Sequence, residues 1–186
     1  MSPIITVFTY YPLHAFVTII IMILLSVLVF KILKQKFKKG LITKEKWIAW
    51  WMLISYSEVL LYCTVFGRRA WEYYRYNFDL GYSYKDIIFS ADYTLIGQIL
   101  INILMFVPIG VLCGVAIDRN KLRKSCFYGV LISFVIEFLQ LILRRGYCEF
   151  DDLISNFIGT AVGYFLLKCF EKLIKYEKRN RIDYNK

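Results

Sequence analysis

The chain has 186 residues, is 59% hydrophobic and 18% aromatic, and carries more apolar side chain than a soluble domain of this length can bury. Its 24 Lys and Arg against 14 Asp and Glu lie in short clusters between apolar runs, which points to an anionic lipid leaflet and away from nucleic acid as the partner. One histidine, His14, and five cysteines without C-x-x-C spacing (Cys63, Cys113, Cys126, Cys148 and Cys169) supply neither a zinc site nor a His-based triad, so no metal or cofactor is expected.

A bilayer core needs about 20 apolar residues in a helix. Five stretches qualify, at roughly 13–33, 47–66, 97–117, 126–143 and 153–170. The first is too long for a signal-peptide core, with no basic segment before it and no small-residue cleavage site after it, and reads as a true span. Segment 31–46 follows with seven Lys and one Glu. Trp47, Trp50 and Trp51 open the second span, where headgroups accommodate both an apolar ring and a polar N–H. The Tyr-rich loop 67–96 is expected to lie along the membrane surface or dip into it. Segments 31–46, 118–125 and 168–186 share one side and hold 18 bases, whereas 67–96 and 144–152 on the other side hold six. The positive-inside rule then places the N-terminus outside and the C-terminus in the cytoplasm. The expectation is an all-α integral membrane protein of about five transmembrane helices. Residues 1–46 form a helix with a basic cytoplasmic loop, 47–170 a four-helix membrane domain, and 171–186 a basic tail. Cys63 and Cys148 fall on the same outer side, which leaves a disulfide between them open.

Only two acids lie within the spans, Glu58 and Glu137. A charge at that depth costs several kcal/mol, about 2.5–3.5 on insertion scales, so each is a functional candidate or a structural partner in a hydrogen bond. Ser133, Glu137, Gln140 and Arg144 follow spacings of four, three and four, and so stack on one helix face. Glu137 lies six residues, or ~9 Å, from the outer end of the fourth span. The fifth span starts with Asp151 and Asp152, the latter a candidate N-cap, and then presents Asn156, Thr160 and Gly163. Gln98 and Asn102 enter the third span from the same side, and the second leaves through Glu58 and Tyr62 towards Arg68 and Arg69. Four helices thus bring their polar groups to the outer half of the bilayer, around a common pocket. Gly110 with Gly114, and Gly159 with Gly163, mark small-residue packing faces, and Pro108 removes one backbone hydrogen bond from the third span.

These residues also resemble the VanZ family of bacterial membrane proteins. The likeness runs through Asn102-Ile103-Leu104-Met105-Phe106-Val107-Pro108-Ile109-Gly110, then Ser133 through Glu137 to Gln140. It continues as Arg145-Gly146-Tyr147-Cys148-Glu149-Phe150-Asp151-Asp152-Leu153 and closes with Asn156, Gly159 and Gly163, covering about residues 50–170. The resemblance implies a multi-pass protein of the bacterial cytoplasmic membrane with a cell-envelope role, associated with resistance to the glycopeptide teicoplanin. Where relatives often have an Ile-Pro-Phe-like segment, this chain has Phe78-Asp79-Leu80-Gly81-Tyr82, and the missing proline puts the conformation of that loop in question.

Three functions remain open at this point. In the first, the pocket engages membrane lipid, a lipid-linked cell-wall precursor or a lipoglycopeptide. Asn102, Gln140, Glu149 and Asn156 would bind it, with Arg68, Arg69, Arg144 and Arg145 meeting phosphate or carboxylate or else snorkelling to the interface. In the second, Glu137 is the general acid/base of a hydrolase or transferase acting on an envelope lipid, with Asp151, Asp152 or Glu149 as its partner. The third, a proton-linked transporter using Glu58 and Glu137, has no repeat symmetry to support it.

Overall fold

The computed structural model describes residues 12–90, 93–117 and 121–184. Helix α1 spans Pro12–Lys38 and α2 spans Lys44–Leu61, continuing as a π-helical turn over Tyr62–Phe66. A two-residue strand β1 (Tyr76–Asn77) and a short helix α3 (Tyr82–Ser90) follow. Helix α4 is Thr94–Ala116, α5 is Lys121–Leu143, β2 is Cys148–Glu149 and α6 is Phe150–Tyr184. All but α3 are long and apolar enough to cross a membrane, which makes five candidate spans. Their outward surfaces are apolar, with Leu24, Leu104, Phe127, Phe138, Phe157 and Phe165 all exposed, as suits a chain whose solvent is lipid.

Without a hydrophobic drive between helices in lipid, close backbone approach and hydrogen bonds must hold the bundle. The most extensive contact is between α4 and α6. A Cβ on Gly110 would overlap the Thr160 carbonyl oxygen, one on Gly159 that of Ile103, and one on Gly163 that of Val107. The small residues singled out in the sequence therefore interleave two helices of the same chain. Pro108 sits inside α4, which runs on through it, and Tyr56 Oη donates to the nearby Met105 carbonyl at 2.9 Å. The core between α2, α4 and α5 comprises Leu53, Leu60, Val65, Phe106, Ile109, Cys113 and Ile136. Helix α1 packs chiefly on α2. Its Ser26 hydroxyl lies 2.7 Å from that of Ser55 and accepts from Trp51 Nε1 at 3.1 Å, while Phe30 meets Trp47 and Trp51 edge-on. These tryptophans thus clamp helices together, a role beyond the interfacial one expected of them.

Two elements add to the sequence reading. The basic tail continues the last span as one helix, because α6 runs for 35 residues in all. No Gly or Pro follows Gly163, and Lys168 pairs with Glu171 one turn on, so helix propensity carries it through the polar stretch. The loop after α2 folds back as a structured cap, in which β1 pairs in parallel with β2, Tyr76 opposite Cys148 and Asn77 opposite Glu149.

Candidate functional site

Beneath that cap lies a cavity of about 470 Å³ at the end of the bundle where α2 and α5 finish and α4 and α6 begin. Its deep wall comes from one face of α5. Ser133, Glu137 and Gln140 are all buried, Glu137 and Gln140 to 5% exposure each. Glu137 Oε2 accepts the Glu149 backbone N–H at 3.1 Å, so the helix carboxylate also anchors β2. Gln140 Nε2 donates to the Thr64 carbonyl at 3.1 Å. That carbonyl belongs to the π turn that ends the second span, and Arg145 likewise donates to the Phe66 carbonyl at 3.0 Å. Gly146 leaves room for this arrangement, since a Cβ there would lie 2.9 Å from Gln140 Cδ.

The opposite wall is built from α4 and α6. Asn102 Nδ2 donates to Asp152 Oδ1 at 2.6 Å, and Asn156 Nδ2 to Ser133 Oγ at 2.7 Å. Gln98 adds an amide at the mouth and Ile101, Met105, Phe106 and Ile136 supply the apolar surface. Two guanidinium groups join the lining. Arg68 is exposed, while Arg75 is half-buried, 4.4 Å from the Trp71 ring centre and 5.1 Å from that of Tyr147. Burial, reinforced by the neighbouring Asp151 charge, raises the Glu149 carboxyl above the ordinary carboxylate range. Burial also pushes the Cys148 thiol up to about 11. Among the described residues no cluster of acids, cysteines and histidines converges closely enough to hold a metal ion.

Residues 16–171 match the family model described as VanZ/LLP1. The chain belongs to the VanZ/LLP1 family. The match takes in most of α1, reaching further towards the N-terminus than the motifs quoted above. A stretch of 81 residues, 44% of the chain, is 25% identical to Protein VanZ of Enterococcus faecium. That stretch spans 50% of the length of the curated relative. No solved structure shows significant similarity to the chain.

Of the candidate residues read from the sequence, Gln98, Asn102, Glu137, Gln140, Glu149, Asp152, Asn156 and Arg68 line the cavity, as do Met105, Phe106 and Tyr147 of the VanZ-like motifs. Ser133 supports it through Asn156. The others do not line it. Asp151 is buried and turned to the cap, where Oδ1 accepts the Gly81 N–H at 2.6 Å and Oδ2 the Ser83 N–H at 2.8 Å. Tyr84 Oη and Ser155 Oγ, 3.1 Å apart, add a second tie to α3. Asp152 is not the N-cap, because α6 begins earlier, at Phe150, and the carboxylate is spent on Asn102. Arg144 leaves the α5 stripe because the helix ends at Leu143 and Arg144 takes φ 54°. Its guanidinium reaches the Glu72 carbonyl at 3.0 Å and lies 5.8 Å from the Tyr74 ring centre. Arg69, Arg145 and Glu58 also lie outside the lining. Cys63 and Cys148 are both free thiols, one exposed and one buried. Thr64, Arg75 and Tyr147 are lining residues that the sequence pattern did not single out as site candidates.

Proposed function

We propose that this VanZ-family chain is a bacterial cytoplasmic-membrane protein that contributes to glycopeptide and lipoglycopeptide resistance of the teicoplanin type. Its N-terminus and its cavity face the cell exterior, and the cavity engages a lipid-linked cell-wall precursor or a lipidated ligand in the outer leaflet. The observation that carries this reading is the cavity itself. Three helices with lipid-suited outer surfaces, α4, α5 and α6, bring Gln98, Asn102, Glu137, Gln140, Asp152 and Asn156 to one chamber, which lies at the end of the bundle opposite the basic segments. Groups that costly to bury are kept where they meet a ligand. Membership of the VanZ/LLP1 family and the match to Protein VanZ of Enterococcus faecium support the resistance role. Deleting the gene in its native host tests it. Increased susceptibility to teicoplanin and lipoglycopeptides, restored by complementation, is the expected result, and unchanged susceptibility counts against the proposal.

One observation favours a second reading. Glu137, Glu149 and Asp152 line the same cavity. Carboxyl groups gathered at one cavity suit general acid/base transfer to an envelope lipid ester. Purified chain that turns over none of a panel of polyprenyl-phosphate and glycolipid substrates sets this reading aside.

A further inference from the structure

Three acids share the cavity, buried Glu137 and half-buried Glu149 and Asp152, and contribute carboxyl oxygens to its lining. Their hydrogen bonds are to neutral donors, Glu137 Oε2 accepting the Glu149 N–H and Asp152 Oδ1 the Asn102 amide. Gln140 adds a second kind of observation. It is 5% exposed, its Nε2 is committed to the Thr64 carbonyl, and its Oε1 has no hydrogen-bond partner. Because a carbonyl can only accept, the amide cannot be turned round to remove this deficit. Asn156, 4% exposed, also has one amide atom without a partner, but the Ser133 hydroxyl it meets can donate or accept, so Gln140 alone of the two fixes an unpaired acceptor. Buried acceptors left unpaired cost free energy, so their natural complement is a group rich in N–H or O–H donors. A metal ion is the wrong complement, since the acids do not converge on one point. The cationic donors of the cavity are Arg68 and Arg75. Arg68 is exposed, and Arg75 is held over the Trp71 and Tyr147 rings in place of a carboxylate partner.

We infer that the cavity selects a zwitterionic headgroup, with a primary ammonium donating to the carboxylates and the Gln140 amide oxygen at its floor and a phosphate ester held by Arg68 and Arg75 at its mouth. This rests on the reading of the cavity as a ligand site and names the chemistry of what enters it. An ammonium is preferred to a hydroxyl because three carboxyl groups sharing one cavity with neutral hydrogen-bond donors also favour a positive charge among them. The same headgroup chemistry is present in an aminophospholipid and in a free phosphate ester.

The test uses the full chain, purified in detergent, with phosphoethanolamine, phosphocholine and inorganic phosphate as soluble probes. A parallel arm uses nanodiscs of phosphatidylethanolamine or phosphatidylcholine. Phosphocholine keeps the charges and removes every N–H donor, so phosphoethanolamine is expected to bind at least about tenfold more tightly, since a polar site rejects analogues that leave its groups unpaired. Glu137→Gln abolishes that preference. Asp152→Asn, which retains an acceptor for Asn102, reduces it and serves if Glu137→Gln fails to fold. Arg75→Gln weakens both esters alike. Preference in the soluble arm supports the proposal with a free ester as sufficient ligand, and preference in nanodiscs alone supports it with the intact lipid as ligand. Equal binding of the two esters, binding of inorganic phosphate as tight as either, or binding of none in either arm overturns it. Those results leave the resistance phenotype of the deletion strain untouched, so the two proposals fail separately.

Discussion

Replacing Asp151 by Ala removes the clasp between α6 and the cap. Its two carboxylate oxygens accept the backbone N–H groups of Gly81 and Ser83 at 2.6 and 2.8 Å. A hydrogen bond to a charged group contributes about 1.5–3 kcal/mol, and the lower figure applies because the freed loop amides can turn to water. Two such bonds therefore put about 3 kcal/mol into closing the cap, which is roughly a hundredfold in the opening equilibrium. Hydrogen exchange of the Gly81 and Ser83 amides in detergent or nanodiscs should accelerate by about that factor in Asp151→Ala. Asp151→Asn keeps one acceptor oxygen and loses the charge, so it should fall near tenfold, about the loss of one such bond. Amides in the middle of α4 and α6 serve as the control and should not change. Exchange at Gly81 and Ser83 that stays within about twofold of wild type in both variants refutes the assignment of Asp151 as the clasp.

Gly163→Ala forces a methyl against the Val107 carbonyl, and Gly159→Ala does the same at Ile103. Each should destabilise the folded chain by about 1–3 kcal/mol in thermal or denaturant unfolding, whereas Gly97→Ala, where a Cβ meets nothing within 4 Å, should not. Cys148, with its thiol pushed up to about 11 and buried, should be alkylated far more slowly at pH 7.5 than in unfolded chain, its rate still rising with pH well beyond the range where an ordinary cysteine levels off. The raised Glu149 carboxyl means that the folded state binds its proton more tightly than the unfolded state does. Its contribution favours folding at low pH and is lost as pH rises through the raised value, so exchange at the β2 amides should quicken with pH beyond the intrinsic rate, and Glu149→Gln should remove that excess.

What could be read from the chain beforehand was whatever the helical period controls. Ser133, Glu137 and Gln140 stack as their four- and three-residue spacings require, and Asn102 and Asn156 meet them because α4 and α6 enter from the same end of the bundle. The glycine pairs spoke directly of close backbone approach. The reading failed where a helix end mattered. Extending the α5 stripe to Arg144 assumed one more turn, but the chain reverses there through a positive φ. Taking Asp152 as a cap assumed a later start for α6, and a shift of three residues gives the capping geometry to neither acid while turning Asp151 to the loop. Thr64 and Arg75 carry no local signal, and Tyr147 lies in the Arg145–Leu153 motif without a feature that marks it as lining the cavity. Their positions depend on a π turn and on a strand pairing between segments far apart in the chain, which no periodicity encodes.

The most direct test of the account is Glu137→Gln in the native host, with membrane levels matched to wild type and teicoplanin susceptibility measured alongside the deletion strain. The substitution keeps the size of the side chain and an acceptor oxygen for the Glu149 amide, while removing the carboxyl from the cavity. Susceptibility equal to that of the deletion strain, at normal protein level, is the predicted result. Wild-type susceptibility from the same cells contradicts the claim that the cavity performs the function, and reduces Glu137 to an anchor for β2.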